Sequence, residues 1–236
     1  MKIPTKLCAC AGFYCVLALL GLLGVSGCAL MTAHPPNDTA ARGVRHAAAE
    51  VQDEQRALDL AMTTLTDLVN QPGADLRIPY HQFSVALDRL VTAANRTDLT
   101  GKTMAQKNAA YLRTWDKQLE GVTFDKIREV SANRRTEVSN RFDSINQRYA
   151  DSQTAVQPVI AYLLDIRRAL SADLTDGGLT AIKPIAENAH ANAAKLQTAL
   201  AALTDQLADS GSRLSSIALQ NNTPPPGPAR AEASAR

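Results

Sequence analysis

Apolar residues recur at steps of three and four through three long stretches of this chain, with almost no period-two alternation between them. One seam runs Val44, Ala48, Val51, Gln55, Leu58, Met62, Leu65 and Val69, where Gln55 is the one polar member. A second runs Val138, Phe142, Ile145, Tyr149, Ser152, Val156, Val159, Leu163, Ile166 and Leu170. The third is Ile182, Ala186, Ala189, Ala193, Leu196, Leu200, Leu203, Leu207, Ser210, Leu214 and Ile217. Three-four spacing sustained this long predicts amphipathic helices packed in coiled-coil fashion. The fold expected is all-α, an elongated antiparallel bundle or coiled coil of three or four long helices.

The breaks fall where such a bundle must turn. Asn70-Gln71-Pro72-Gly73-Ala74 stops the first helix, because proline lacks the amide donor and glycine tolerates turn geometry, and Pro79 or Tyr80 begins the next. Thr97 to Lys102 is expected to interrupt that helix, and Gly121-Val122-Thr123 separates a segment centred on Trp115 from a long helix after Phe124. Asp173 to Gly178 forms the last hairpin. A helix from Phe124 to Leu170 would be about 70 Å long at 1.5 Å per residue. Pro158 should kink it, and Pro184 should fall in or near the first turn of the last helix, with Thr180 as a possible cap.

The two ends of the chain read differently. Lys2 and Lys6 precede an apolar run from Ala11 to Val25, too short for a comfortable membrane span, and Val25-Ser26-Gly27-Cys28 follows. This resembles the lipobox of bacterial lipoprotein signals, which implies cleavage between Gly27 and Cys28 and lipidation of Cys28. A plain signal peptide cut elsewhere, or a short membrane anchor, is the alternative. Two or three acyl chains would hold the protein on its membrane permanently. Ala29, in place of a retaining aspartate, favours the periplasmic face of the outer membrane over the inner membrane. Residues 1–27 are thus read as signal, 28–39 as a lipidated flexible tether, 40–219 as the bundle and 220–236 as a disordered tail rich in proline and alanine.

Charge and cysteine content narrow the chemistry. Removing Lys2 and Lys6 leaves 23 of the 25 basic residues against 23 acidic ones, so no global pull on nucleic acid is expected. Cys8, Cys10 and Cys15 all lie ahead of the cleavage point. With Cys28 alkylated, no thiol remains for a disulfide, a zinc site or a nucleophile.

Within the bundle, chemical motifs are sparse. Glu187-Asn188-Ala189-His190 is one half of a di-iron pattern that needs a second copy, and none exists. His46, Glu50 and Asp53 or Glu54 share a helix face that should be solvated. No Ser-His-Asp grouping or phosphate loop is present, so neither an enzyme nor a cofactor or metal is expected. Arg134, Arg141 and Arg148 recur at sevens, with Arg128 and Arg135 beside them. Such a guanidinium row can hold phosphates, carboxylates or an acidic partner helix, or it can simply pair with acids along a bundle seam. Trp115, with Leu112 and Leu119 at helical steps, is either core or part of a binding platform.

Trp115 with Leu119, Ile127-Arg128, Ser131, Arg134, Tyr149, Pro158-Val159, the run Leu164 to Leu170, Asp173-Leu174-Thr175 and Gly178-Leu179 together resemble a bacterial family known only as a domain of unknown function. The likeness spans Ala47 to Ile217. It implies exported or lipoprotein-like helical proteins, and it marks the Leu170 to Leu179 corner as a structural hallmark. These readings converge on a membrane-anchored, non-enzymatic scaffold, spacer or adaptor that binds an unidentified envelope protein and whose seams can close within one chain or with a second copy. A bundle that binds a small apolar or anionic ligand is the alternative.

Overall fold

A computed structural model describes residues 36–70 and 75–215, which form part of one compact unit. Four helices take up nearly all of them: α1 (Pro36–Val69), α2 (Arg77–Glu120), α3 (Asp125–Ala172) and α4 (Asp176–Leu214). Each packs on its neighbours in sequence, and α4 closes the ring against α1, while the backbones of the two diagonal pairs stay further apart. The connections are short, so adjacent helices run antiparallel. The Asn37 amide at the start of α1 accordingly donates to the Leu214 carbonyl at the end of α4, at 3.0 Å.

The seams of α3 and α4 are buried at the positions their spacing predicts, from Val138 to Leu170 and from Ile182 to Leu214; Ile217 lies outside the described residues. In α1 the stripe is broader and displaced. Ala47, Glu54, Ala61 and Leu68 are buried beside Val44, Val51, Leu58 and Leu65, whereas Ala48 and Gln55 are only half-buried. This face meets α2 on one side and α4 on the other.

Three expectations need correcting. Thr97 to Lys102 do not interrupt α2, which runs unbroken through residues of low helix propensity because packing holds them. Thr97 is fully buried, its hydroxyl donating to the Glu50 carbonyl of α1 at 3.4 Å. Gly101 lies directly under the ring of Tyr149, where a Cβ would come within 2.7 Å of a ring carbon. Second, α1 begins at Pro36, inside the stretch read as tether, since proline suits the first helical position and Asn37 is tied to α4.

Third, the cap of α4 is Thr175 and not Thr180: its Oγ1 accepts from the Gly178 amide at 3.2 Å. Pro184 therefore lies inside the helix rather than in its first turn. The helix face there is exposed, so water can satisfy the carbonyl that proline leaves without a partner. At this corner the chain passes so closely that a Cβ on Gly178 would sit 2.2 Å from the Asp173 carbonyl oxygen. Glycine is required there by contact. Pro158 is likewise contained within a continuous α3.

Candidate functional site

The arginines at seven-residue spacing lie along the edge of α3, and two of them are engaged within the bundle. Arg141 donates to Asp209 of α4 and to Glu137 one turn back, both at 2.9 Å. Arg134 reaches Glu137 at 2.5 Å and the Arg213 carbonyl at 3.4 Å, and Arg213 completes the chain through Asp209 at 2.6 Å. Hydrogen bonds from Arg134 and Arg141 hold the Glu137 carboxyl down to about 2, and those from Arg213 and Arg141 lower Asp209 as well. Arg148 stands apart, half-exposed, with Asp151 at 3.8 Å. Arg135 makes a two-pronged pair with Asp116 across the α2–α3 hairpin at 2.9 Å, and Arg128 pairs with Asp125 at 2.8 Å.

Trp115 is half-buried near the end of that hairpin. Its indole donates to Ser131 Oγ at 3.0 Å, and Tyr111 meets it edge-on with ring centres 5.6 Å apart. Arg134 joins it in lining an open groove of about 450 Å³ with Lys126, Ile127, Val130 and Ser131. Trp115 and Arg134, two of the sequence candidates, thus share one surface, while Arg141 and Arg148 lie further along α3. Gly27 and Cys28, the proposed cleavage and lipidation residues, lie outside the described residues.

Two features escape the pattern of the sequence. From Leu112 to Glu137 no residue is buried, and Phe124, Ile127 and Val130 are 72%, 58% and 58% exposed. The other is Glu54, which belongs to the face expected to be solvated and is instead 1% exposed. Neither of its carboxylate oxygens has a hydrogen-bond partner in normal geometry, and burial raises its pKa, an effect that the nearby Thr97 hydroxyl only partly offsets. The Tyr149 hydroxyl is also buried without a partner; burial first, then the charges of Glu54 and Glu50, push it upward. Glu50 is better served by Arg96 at 3.4 Å.

Glu187 and His190 are exposed on α4, His190 lying 3.1 Å from the Thr66 hydroxyl. Among the described residues no cluster of three or more histidines, cysteines or carboxylates could hold a metal ion, and no helix is long and apolar enough to cross a membrane. The chain belongs to the family described as "Protein of unknown function (DUF2959)", whose model matches residues 34–215. No curated protein and no solved structure matches the chain.

Proposed function

We propose, from a family that brings no activity with it, that this protein is a lipid-anchored scaffold, spacer or adaptor of the bacterial envelope. A covalent lipid on Cys28 would hold it at the periplasmic face of the outer membrane. The observation that carries the reading is the length of the helices: α3 alone has 48 residues, about 72 Å at 1.5 Å per residue. Such a rod can hold two envelope components apart or present a partner at a fixed height. Its seams are closed by aliphatic packing, and the ion pairs along α3 tie it to α4 and α2. The half-exposed Arg148 and Trp115 offer places for an envelope protein to dock.

The test has two independent readings. The mass of the N-terminal peptide of protein taken from its own host should show a diacylglyceryl thioether and an acylated amine on Cys28. Photo-crosslinking in living cells from Arg134, Arg141, Arg148 and Trp115 should capture one specific envelope protein. An unmodified Cys28 would remove the anchor, and crosslinks confined to the chain itself would remove the adaptor.

The ligand-binding alternative draws on an open groove of about 540 Å³ between α1 and α2, where Arg89 and Arg96 stand beside Ala57 and Val85. Asp53 and Asp88 share that lining and balance the two arginines, so a small, mainly apolar molecule suits it better than a bare anion. Native mass measurement of host-purified protein would reveal a retained small molecule and shift the reading from scaffold to binding module.

A further inference from the structure

The hairpin tip joining α2 to α3 has the composition of a core and the exposure of a surface. Phe124 caps the start of α3 in an extended conformation, and Ile127 and Val130 follow in its first turns, ahead of the seam that begins at Val138. In the body of the bundle, residues at alternating steps of four and three are buried at every position. At the tip three large apolar side chains are more than half exposed, with Trp115 beside Ile127 and Val130. Contiguous exposed apolar side chains of this size mark a surface that meets something less polar than water.

The same tip lies beside the entry of the chain into the bundle. Pro36 and Asn37, the first residues of α1, line a recess with Tyr111, Thr114, Trp115 and Gln118. Eight Cα-to-Cα steps, across seven intervening residues, connect Cys28 to Pro36. At no more than about 3.5 Å each they reach about 28 Å. If Cys28 is anchored, the tip is confined to that distance from the bilayer surface, and the tether turns even a weak contact into an intramolecular one.

We propose that the α2–α3 tip is a second, non-covalent membrane contact, with Phe124, Ile127 and Val130 entering the interfacial region of the bilayer to which Cys28 is attached. The inference rests on reading Cys28 as a lipid anchor. Charge contributes little to it. Lys126 is paired with Glu129 at 3.0 Å and Arg128 with Asp125 at 2.8 Å, and Glu120 offsets Lys117. The contact is therefore driven by apolar burial and is indifferent to anionic lipid and to salt, unlike a polybasic patch. Anchor and tip together would stand the rod on end and hold the opposite end, at the α1–α2 and α3–α4 turns, away from the membrane.

Trp115, the one tryptophan of the chain, is a built-in reporter. The chain from Cys28 to Arg236 would be coupled through its single thiol to a maleimide lipid in phosphatidylcholine–phosphatidylethanolamine vesicles. Its emission would then be read with plain and with brominated acyl chains. The expected result is loss of Trp115 emission in the brominated vesicles, unchanged by phosphatidylglycerol or added salt. Replacing Phe124, Ile127 and Val130 together by serine should restore emission without moving the melting temperature. Equal emission in both vesicles would overturn the proposal. So would protection of Trp115 from aqueous iodide without quenching by bromolipid, which would identify residues 216–236 or a second copy as the cover. Because the coupling replaces any natural lipid, failure here leaves the lipoprotein reading intact, and an unmodified Cys28 in the host sinks that reading separately.

Discussion

The two parts of α3 both carry large apolar residues at helical steps and meet opposite fates. From Val138 to Leu170 the helix buries a residue at every third or fourth step, against α4 on one side and α2 on the other. From Asp125 to Glu137 it buries none, although Ile127 and Val130 would serve as core residues elsewhere. Spacing makes a stripe, and only an opposing element makes that stripe a core. The body is therefore where stability resides, and the tip is where apolar surface remains for contact with something else.

The sharpest way to break this contrast is to place a charge in each region. Leu203 is fully buried in the α4 seam, and Leu203→Asp should unfold or loosen the bundle, since a leucine truncated in a core already costs about 2–5 kcal/mol and an unpaired carboxylate adds more. Ile127→Asp should leave helicity and melting temperature as they are. Circular dichroism with heating reads both. Equal losses in the two variants would show that the tip is packed in solution.

A smaller effect is expected where α2 meets α3. Gly101→Ala gains about 1 kcal/mol of helix propensity, yet its methyl would meet the Tyr149 ring at 2.7 Å. Overpacking of this kind costs about 1–3 kcal/mol, so a net loss of stability is expected. Combining it with Tyr149→Leu should recover most of the loss. A stabilised Gly101→Ala would mean that the ring gives way freely and that the seam is loose.

The sequence makes α3 and α4 legible residue by residue because each buries a single stripe. It misplaces part of α1, where Ala47, Glu54 and Ala61 are buried although the stripe read from spacing does not include them. Thr97 and Gly101 read as a break because their helix propensity is low, and what holds them, the Glu50 carbonyl and the Tyr149 ring, lies on other helices. The candidate surface was legible in part. Trp115 and Arg134 were visible as residue types, but their meeting in one groove depends on the tight turn at Gly121 to Phe124, which folds α3 back on α2. The ties of Arg134 and Arg141 to Glu137 lie within α3 at steps of three and four and are legible in its spacing, whereas their ties to Asp209 and the Arg213 carbonyl depend on the register of α4 against α3.

Glu54 gives a third, pH-dependent contrast, this time inside the body. Its carboxyl is raised by burial, so between the ordinary carboxylate range near 4.5 and its folded value the unfolded chain releases a proton that the folded chain retains. Stability from this group therefore falls as pH rises through that window. Glu54→Gln keeps the shape and cannot ionise, and its own cost is independent of pH. The difference in stability between native protein and variant, from urea unfolding at a series of pH values, should move steadily in the variant's favour above pH 4.5. A flat difference would show that Glu54 finds a proton donor or water in solution.

The smallest effect is expected on the exposed edge of α3, and it runs the other way with pH. Glu137 is held at about 2 by Arg134 and Arg141, below its ordinary 4.5, so its contribution is fully present above 4.5 and is lost as pH falls toward 2. Because the group is open to solvent, its charges are screened and Glu137→Gln should lower the neutral-pH melting temperature only slightly. The difference should vanish in high salt or near pH 2. Arg141, less exposed and bridging Glu137 to Asp209, would then be the member that fixes α3 against α4. A large drop that persists in salt would instead show that the whole row from Arg134 to Arg213 acts as one buried network, leaving only the outlying Arg148 of the three arginines spaced at sevens free for a partner.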